Sequence, residues 1–157
     1  DGEAAGDQSG SSVAMSADGN RVAIGAWFND DNGRNTGHVR IFDLSDAMEW
    51  VQVGDSIGGE AVDDLSGFSV AMSAYGNRVA IGARLNDGNG GNNVGHVRIF
   101  DLSVETKWVQ VGSDIDGEAD DDFSGGSVAM SSDGNRVAIG ATLNDDNAGH
   151  VRIYLYI

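Results

Sequence analysis

Ser12-Val-Ala-Met-Ser-Ala-Asp-Gly-Asn-Arg-Val-Ala-Ile-Gly-Ala26 returns almost letter for letter at residues 69–83 and again at 127–141. Self-similarity at a fixed period is the signature of a repeat architecture, and it decides how everything else is read. Within each copy, Val13 and Met15 alternate with Ala14 and Ser16, and Val22 and Ile24 alternate with Ala23 and Gly25. Such alternation predicts two short strands, with Asp18-Gly19 as a two-residue hairpin turn between them. Gly19, Gly76 and Gly134 are then expected at positive φ.

A third strand, Gly-His-Val-Arg-Ile-aromatic, follows each copy at residues 37–42, 95–100 and 149–154. A fourth, containing Trp-Val-Gln-Val, follows twice, at 49–53 and 107–111. One unit is therefore four antiparallel strands in about 58 residues, with Trp50 and Trp108 in register. No helical period is present, so no helix is expected. The predicted layout is one repeat domain: units at 10–54, 67–112 and 125–157, the last incomplete, joined by acidic connectors at 1–9, 55–66 and 113–124.

Composition narrows the classes of function. The chain has 24 Gly, no Pro and no Cys, and 25 acidic against 9 basic residues give a formal charge of −16. Abundant glycine with short Val/Ile runs fits an all-β protein with many turns. Nucleic acid is not expected as a partner, because phosphate contacts need Lys and Arg. Membrane insertion is not expected either, since no run approaches the roughly 20 apolar residues of a helical span. The absence of cysteine excludes disulfides and thiol chemistry. No signal peptide is read, and the start at Asp1 suggests a processed or partial chain.

The unit resembles the FG-GAP repeat, the blade of the integrin α-subunit type of β-propeller. The resemblance rests on Asp7-Gln-Ser-Gly-Ser-Ser-Val-Ala14, on Ala23-Ile-Gly-Ala26 and on Gly37-His-Val-Arg-Ile-Phe42, which recur in order. It implies a propeller scaffold that binds a protein or glycan partner at the cell surface or outside the cell. A calcium-dependent adhesion or lectin-like module is the alternative. The chain departs from the family pattern at Ser9, Ser66 and Ser124, where a Phe is usual, and at Trp27, Arg84 and Thr142, where Pro is usual. The calcium loop of the family is not carried over: Ala17-Asp-Gly-Asn20 is too short for 6–8 oxygen ligands, and Tyr75 replaces its Asp. By strand count alone, a β-trefoil is the architectural alternative.

No catalytic set is found, so the chain is not expected to be an enzyme. His38, His96 and His150 recur one unit apart, and Arg40, Arg98 and Arg152 are expected to pair with the acidic connectors. Calcium is the candidate cofactor, with Asp30, Asn32, Asp87, Asn89, Asp145 and Asn147 as ligands from oxygen-rich loops. Trp50, Trp108, Val151 and Ile153 are the candidate partner-binding residues, although tryptophans at blade spacing also suit packing between blades. The incomplete third unit implies a homo-oligomer, or further chain, that supplies the missing strand.

Overall fold

A computed structural model describes every residue except Asn89 and Ile157, and Asp146 by its backbone alone. Its elements are β1 (Ser12–Met15), β2 (Arg21–Ala26), β3 (His38–Leu44), β4 (Trp50–Gln52) and β5 (Ile57–Gly58), then β6 (Ser66–Met72), β7 (Arg78–Ala83), β8 (His96–Leu102), β9 (Trp108–Gln110) and β10 (Ile115–Asp116). The third unit has β11 (Ser124–Met130), β12 (Arg136–Ala141), α1 (Asn144–Asn147) and β13 (His150–Leu155). Each unit is its own antiparallel sheet, and successive sheets stack as the blades of a β-propeller. Because strands of different units do not share a sheet, the trefoil alternative is set aside.

Three details differ from the sequence reading. The outer strand of blades one and two is broken: β4 pairs Phe42–Leu44 and β5 pairs His38–Val39, both along the same edge of β3. The extra residues Gly54 to Ser56 bulge out between them, so Ile57 and Ile115, expected in connectors, belong to the blades. The first hairpin is a four-residue loop, because Ser16 donates its N–H to Arg21 O and Gly19 N–H to Ser16 O. Gly19, Gly76 and Gly134 take φ of 76, 70 and 75° at the position where that loop turns left-handed. A four-residue α1 also forms where no helix was expected.

The core lies between blades, and the strand alternation explains why. Ala23, Val39, Ile41 and Ile57 of blade one meet Val70, Val79, Ile81 and Phe100 of blade two. Ala71, Ala80, Val97, Ile99 and Ile115 of blade two meet Val137 and Ile139 of blade three. Each blade thus presents a face that is small at its inner strands to a bulkier face on the next. Ser12 Oγ donates across the junction to Gly67 O at 2.7 Å, and Ser69 Oγ to Gly125 O at 2.7 Å. The inner turns join as well, Ala17 N–H to Ala74 O at 2.9 Å and Ala74 N–H to Ser132 O at 2.8 Å.

Contact this close needs glycine. A Cβ on Gly82 would lie 2.2 Å from Gly125 O, whereas one on Gly140 would meet only the movable Ser127 hydroxyl at 2.4 Å. Gly82→Ala is therefore expected to cost on the order of 3 kcal/mol, and Gly140→Ala less than about 1. Denaturant unfolding of the two variants, at a concentration low enough to keep the chain monomeric, checks this; equal losses would count against the stacking order.

Candidate functional site

Each unit gathers the same polar set at the mouth of its third strand. His and Arg stand two residues apart in β3, β8 and β13, so they project from one face of the strand. A connector glutamate comes to each pair. Arg40 Nη1 lies 3.4 Å from Glu3, Arg98 Nη1 3.5 Å from Glu60 and Arg152 Nη1 3.9 Å from Glu118. The expected Arg–connector pairing therefore forms. The arginines also donate to the main-chain oxygen two residues before that glutamate, Arg40 to Asp1 O at 2.9 Å and Arg98 to Gly58 O at 2.7 Å.

The imidazoles differ by blade. His38 Nε2 is 3.5 Å from Glu3 and its Nδ1 3.7 Å from Asp31. His96 Nδ1 is 3.8 Å from Glu60 and 4.0 Å from Asp114. His150 Nδ1 is 3.0 Å from Glu118 in a more open setting. Burial, reinforced by Arg98, lowers the His96 pKa to about 4, and burial lowers that of His38 as well. Both rings are therefore neutral at pH 7.

A second repeated device ties the connector to the loop after the second strand. Asp7, Asp64 and Asp122 are buried, and each accepts an amide N–H from Asn29, Asn86 or Asn144 at 3.0 Å. Ala61 and Ala119 add backbone N–H donors at 2.9 Å to the last two aspartates. Burial pushes the Asp64 carboxyl up, against the Asn86 and Ala61 donors that favour its ionised form.

The loop residues expected to hold calcium are arranged differently. Asp30 Oδ1 accepts the Asn35 N–H at 2.7 Å and Asp87 Oδ1 the Asn93 N–H at 3.1 Å, so these carboxylates close their own loops. The Asn32 amide packs against Gly58. Asp145 and Asn147 are exposed on α1, and Asn89 lies outside the described residues. Among the described residues, two groups of His, Asp and Glu bring ligand atoms within 4.8 Å of one another: Glu3, Asp31 and His38, and Glu60, His96 and Asp114. The sequence reading missed both as sites, although the recurrence of Gly-Glu and Gly-His at one spacing was the available signal.

The partner-binding set also divides. Trp108 packs into the junction between blades one and two and donates its indole N–H to Val53 O at 2.9 Å, so it is structural. Its counterpart Trp50, on the outward face of blade one, is exposed. Val151 and Ile153 are 64% and 71% exposed, while their counterparts Val39, Ile41, Val97 and Ile99 are at most 1% exposed. Beyond these, Trp27 stacks on Phe28 and meets Phe68 edge-on, and the Arg84 guanidinium sits 4.1 Å from the Phe68 ring centre. Trp27 and Arg84 occupy positions where the resemblance expected Pro, and Phe68 restores an aromatic side chain near Ser66.

The FG-GAP repeat family matches residues 1–42. No curated protein sequence matches the chain. Among solved structures, Kuenenia stuttgartiensis hydrazine synthase aligns with a TM-score of 0.51 at 16% identity, over 89% of this chain and 44% of that one. A candidate 6-phosphogluconolactonase from Bacteroides uniformis aligns with a TM-score of 0.52 at 14% identity, over 92% and 40%. Both alignments show a shared propeller-type fold, and the chain spans less than half the length of either. Residues 1–42 thus resemble one FG-GAP repeat, set in a chain of propeller-type fold.

The buried imidazoles set a pH dependence. The unfolded chain protonates His38 near pH 6.5, the folded chain only at lower pH, so the unfolded state binds more protons in between. This contribution to stability is intact above about pH 6.5 and is lost as pH falls towards the depressed folded pKa. Glu60 and Asp64, raised by burial, act in the opposite sense as they protonate. Urea unfolding of chelator-treated protein at pH 7.5 and 5 should show this loss, and His38→Gln should reduce it. An unchanged difference between the two pH values in that variant would refute the assignment.

Proposed function

We propose that the chain is a non-enzymatic β-propeller scaffold that acts by protein association, its two end faces docking further blades of the same kind. One observation carries this reading: the end faces repeat the residues of the internal junctions and leave them uncovered. Val13, Met15 and Trp50 on blade one are 63%, 56% and 46% exposed, whereas their blade-two counterparts Val70, Met72 and Trp108 pack against blade one. At the other end Val151, Ile153 and Leu155 stand exposed on β13, an edge strand of its three-stranded sheet. Apolar patches and open edges of this kind favour association.

In the isolated chain the partner is a second copy. Two copies bring about six blades together, within the four to eight of closed propellers. Aliphatic strand faces suit a protein partner better than a glycan, which needs hydrogen-bonding groups at its site. Non-enzymatic action is supported by the histidines, each of which faces a connector glutamate shared with the arginine two residues along its strand instead of a nucleophile. The same reading has the chain at the cell surface or outside the cell, supported by the FG-GAP match and the strongly acidic composition. Immunolocalisation on intact cells tests that part.

Native mass spectrometry and light scattering at tens of micromolar should report a dimer, and Ile153→Asp should return a folded monomer by circular dichroism. A wild-type chain that remains a monomer at that concentration would overturn the docking reading.

A further inference from the structure

We propose that Glu60, His96 and Asp114 form a binding site for one divalent transition-metal cation of the zinc class. The three come from different elements: Glu60 follows β5, His96 opens β8, and Asp114 precedes β10. Pairing of Ile115 with Val97 and of Asp116 with His96 fixes the approach of Asp114 to the imidazole.

The distances suit a cation better than a shared proton. His96 is 1% exposed, and its Nδ1 meets carboxylates only at ion-pair distances. Two carboxylate oxygens face the same nitrogen, Nδ1, at 3.8 and 4.0 Å, beyond hydrogen-bonding range. In blade three the corresponding His150–Glu118 separation is 3.0 Å, an ordinary hydrogen-bond length. Zinc bonds of roughly 2.0–2.2 Å at tetrahedral angles set ligand atoms about 3.4 Å apart, so closing the site needs movements of about half an ångström. The two carboxylates can make them, since their side chains are 43% and 33% exposed.

The surroundings agree. Arg98 Nη1 lies 3.5 Å from Glu60 Oε1, which leaves Oε2 turned towards His96. This is how a partner outside the ligand set orients a ligand. Burial, then the nearby carboxylates of Asp114, Asp64 and Asp116, raise the Glu60 pKa, and a cation would relieve that crowding. A neutral imidazole with two carboxylates matches zinc-class preferences, whereas calcium takes 6–8 oxygens. The exposed side of the carboxylates leaves the fourth position to water.

Blade one shows what is particular to blade two. Its Glu3 and Asp31 approach opposite nitrogens of His38, and Ser56 holds the position equivalent to Asp114. The carboxylates there straddle the ring and do not converge on one atom.

The test is calorimetric titration of the chelator-stripped full chain with zinc chloride at pH 7.5, in millimolar calcium and magnesium to saturate loose acidic sites. One equivalent should bind saturably, and cobalt(II) in its place should give the visible absorption of a low-coordinate site. Asp114→Asn should weaken binding at least tenfold, and His96→Gln should abolish it. His38→Gln should leave it unchanged. Absence of saturable binding, or undiminished affinity in Asp114→Asn, overturns the proposal. Because Asp114 is a surface carboxylate, that variant decides the matter even where His96→Gln does not fold. None of these outcomes depends on whether the chain dimerises.

Discussion

One blade's main chain lies where the previous blade's side chain would have to be. Gly67 O and Gly125 O each sit 2.2 Å from the Cβ position of Gly25 and Gly82. These carbonyls belong to residues skipped by the ladder, where the register shifts between Ser66 and Ser69 and between Ser124 and Ser127. A carbonyl left out of its own ladder and buried must find a donor elsewhere. Ser12 and Ser69 on the preceding blade supply it. The bulge, the glycine and the serine therefore form a single requirement, and all three recur in the sequence because none works without the others.

With the inner strands held at that distance, the outer parts of each junction follow. Small side chains such as Ala14 and Ala23 leave room for Met72, Val79 and Ile81, and towards the rim Ile41 and Ile57 meet Phe100 and Trp108. The polar groups are settled at the ends of the strands, where water is near. The Asp–Asn ties hold the connectors, and the Arg–Glu pairs join each connector to the third strand. Buried polar groups that are fully paired specify a register as well as adding stability. The linkage explains why the acidic connectors keep Glu and Asp at constant positions while the residues between them vary.

The period, the three long strands of each unit and the separation into blades were legible because alternation and repetition are properties of the sequence itself. The broken outer strand was not. Gly54-Asp-Ser56 reads as the start of a connector, and a two-residue strand such as Ile57–Gly58 carries no periodicity. The four-residue turn was misread because Asp-Gly also marks the tighter two-residue form. Oxygen-rich loops were visible, but not what their oxygens do: Asp30 and Asp87 close their own loops, and Asn29 and Asn86 are buried on aspartates far away in sequence. The Glu60–His96–Asp114 convergence depends on β10 pairing with β8, which the sequence pattern did not show.

The charge distribution follows from the same architecture. Of 9 basic residues, Arg21, Arg34, Arg40, Arg78, Arg98, Lys107 and Arg152 lie within salt-bridge distance of carboxylates, and Arg84 is packed among aromatic rings. Arg136 makes no such pair among the described residues, because Leu155 stands opposite it where Asp43 and Asp101 face Arg21 and Arg78. The positive side chains are thus largely engaged within the repeat, and the carboxylates in excess of them set the outward field. A surface of that sign repels phosphate backbones and draws cations, most strongly where several carboxylates surround a neutral donor. The fold creates such a place at His96: the blade junction buries the imidazole, the connector brings Glu60, and the broken outer strand brings Asp114.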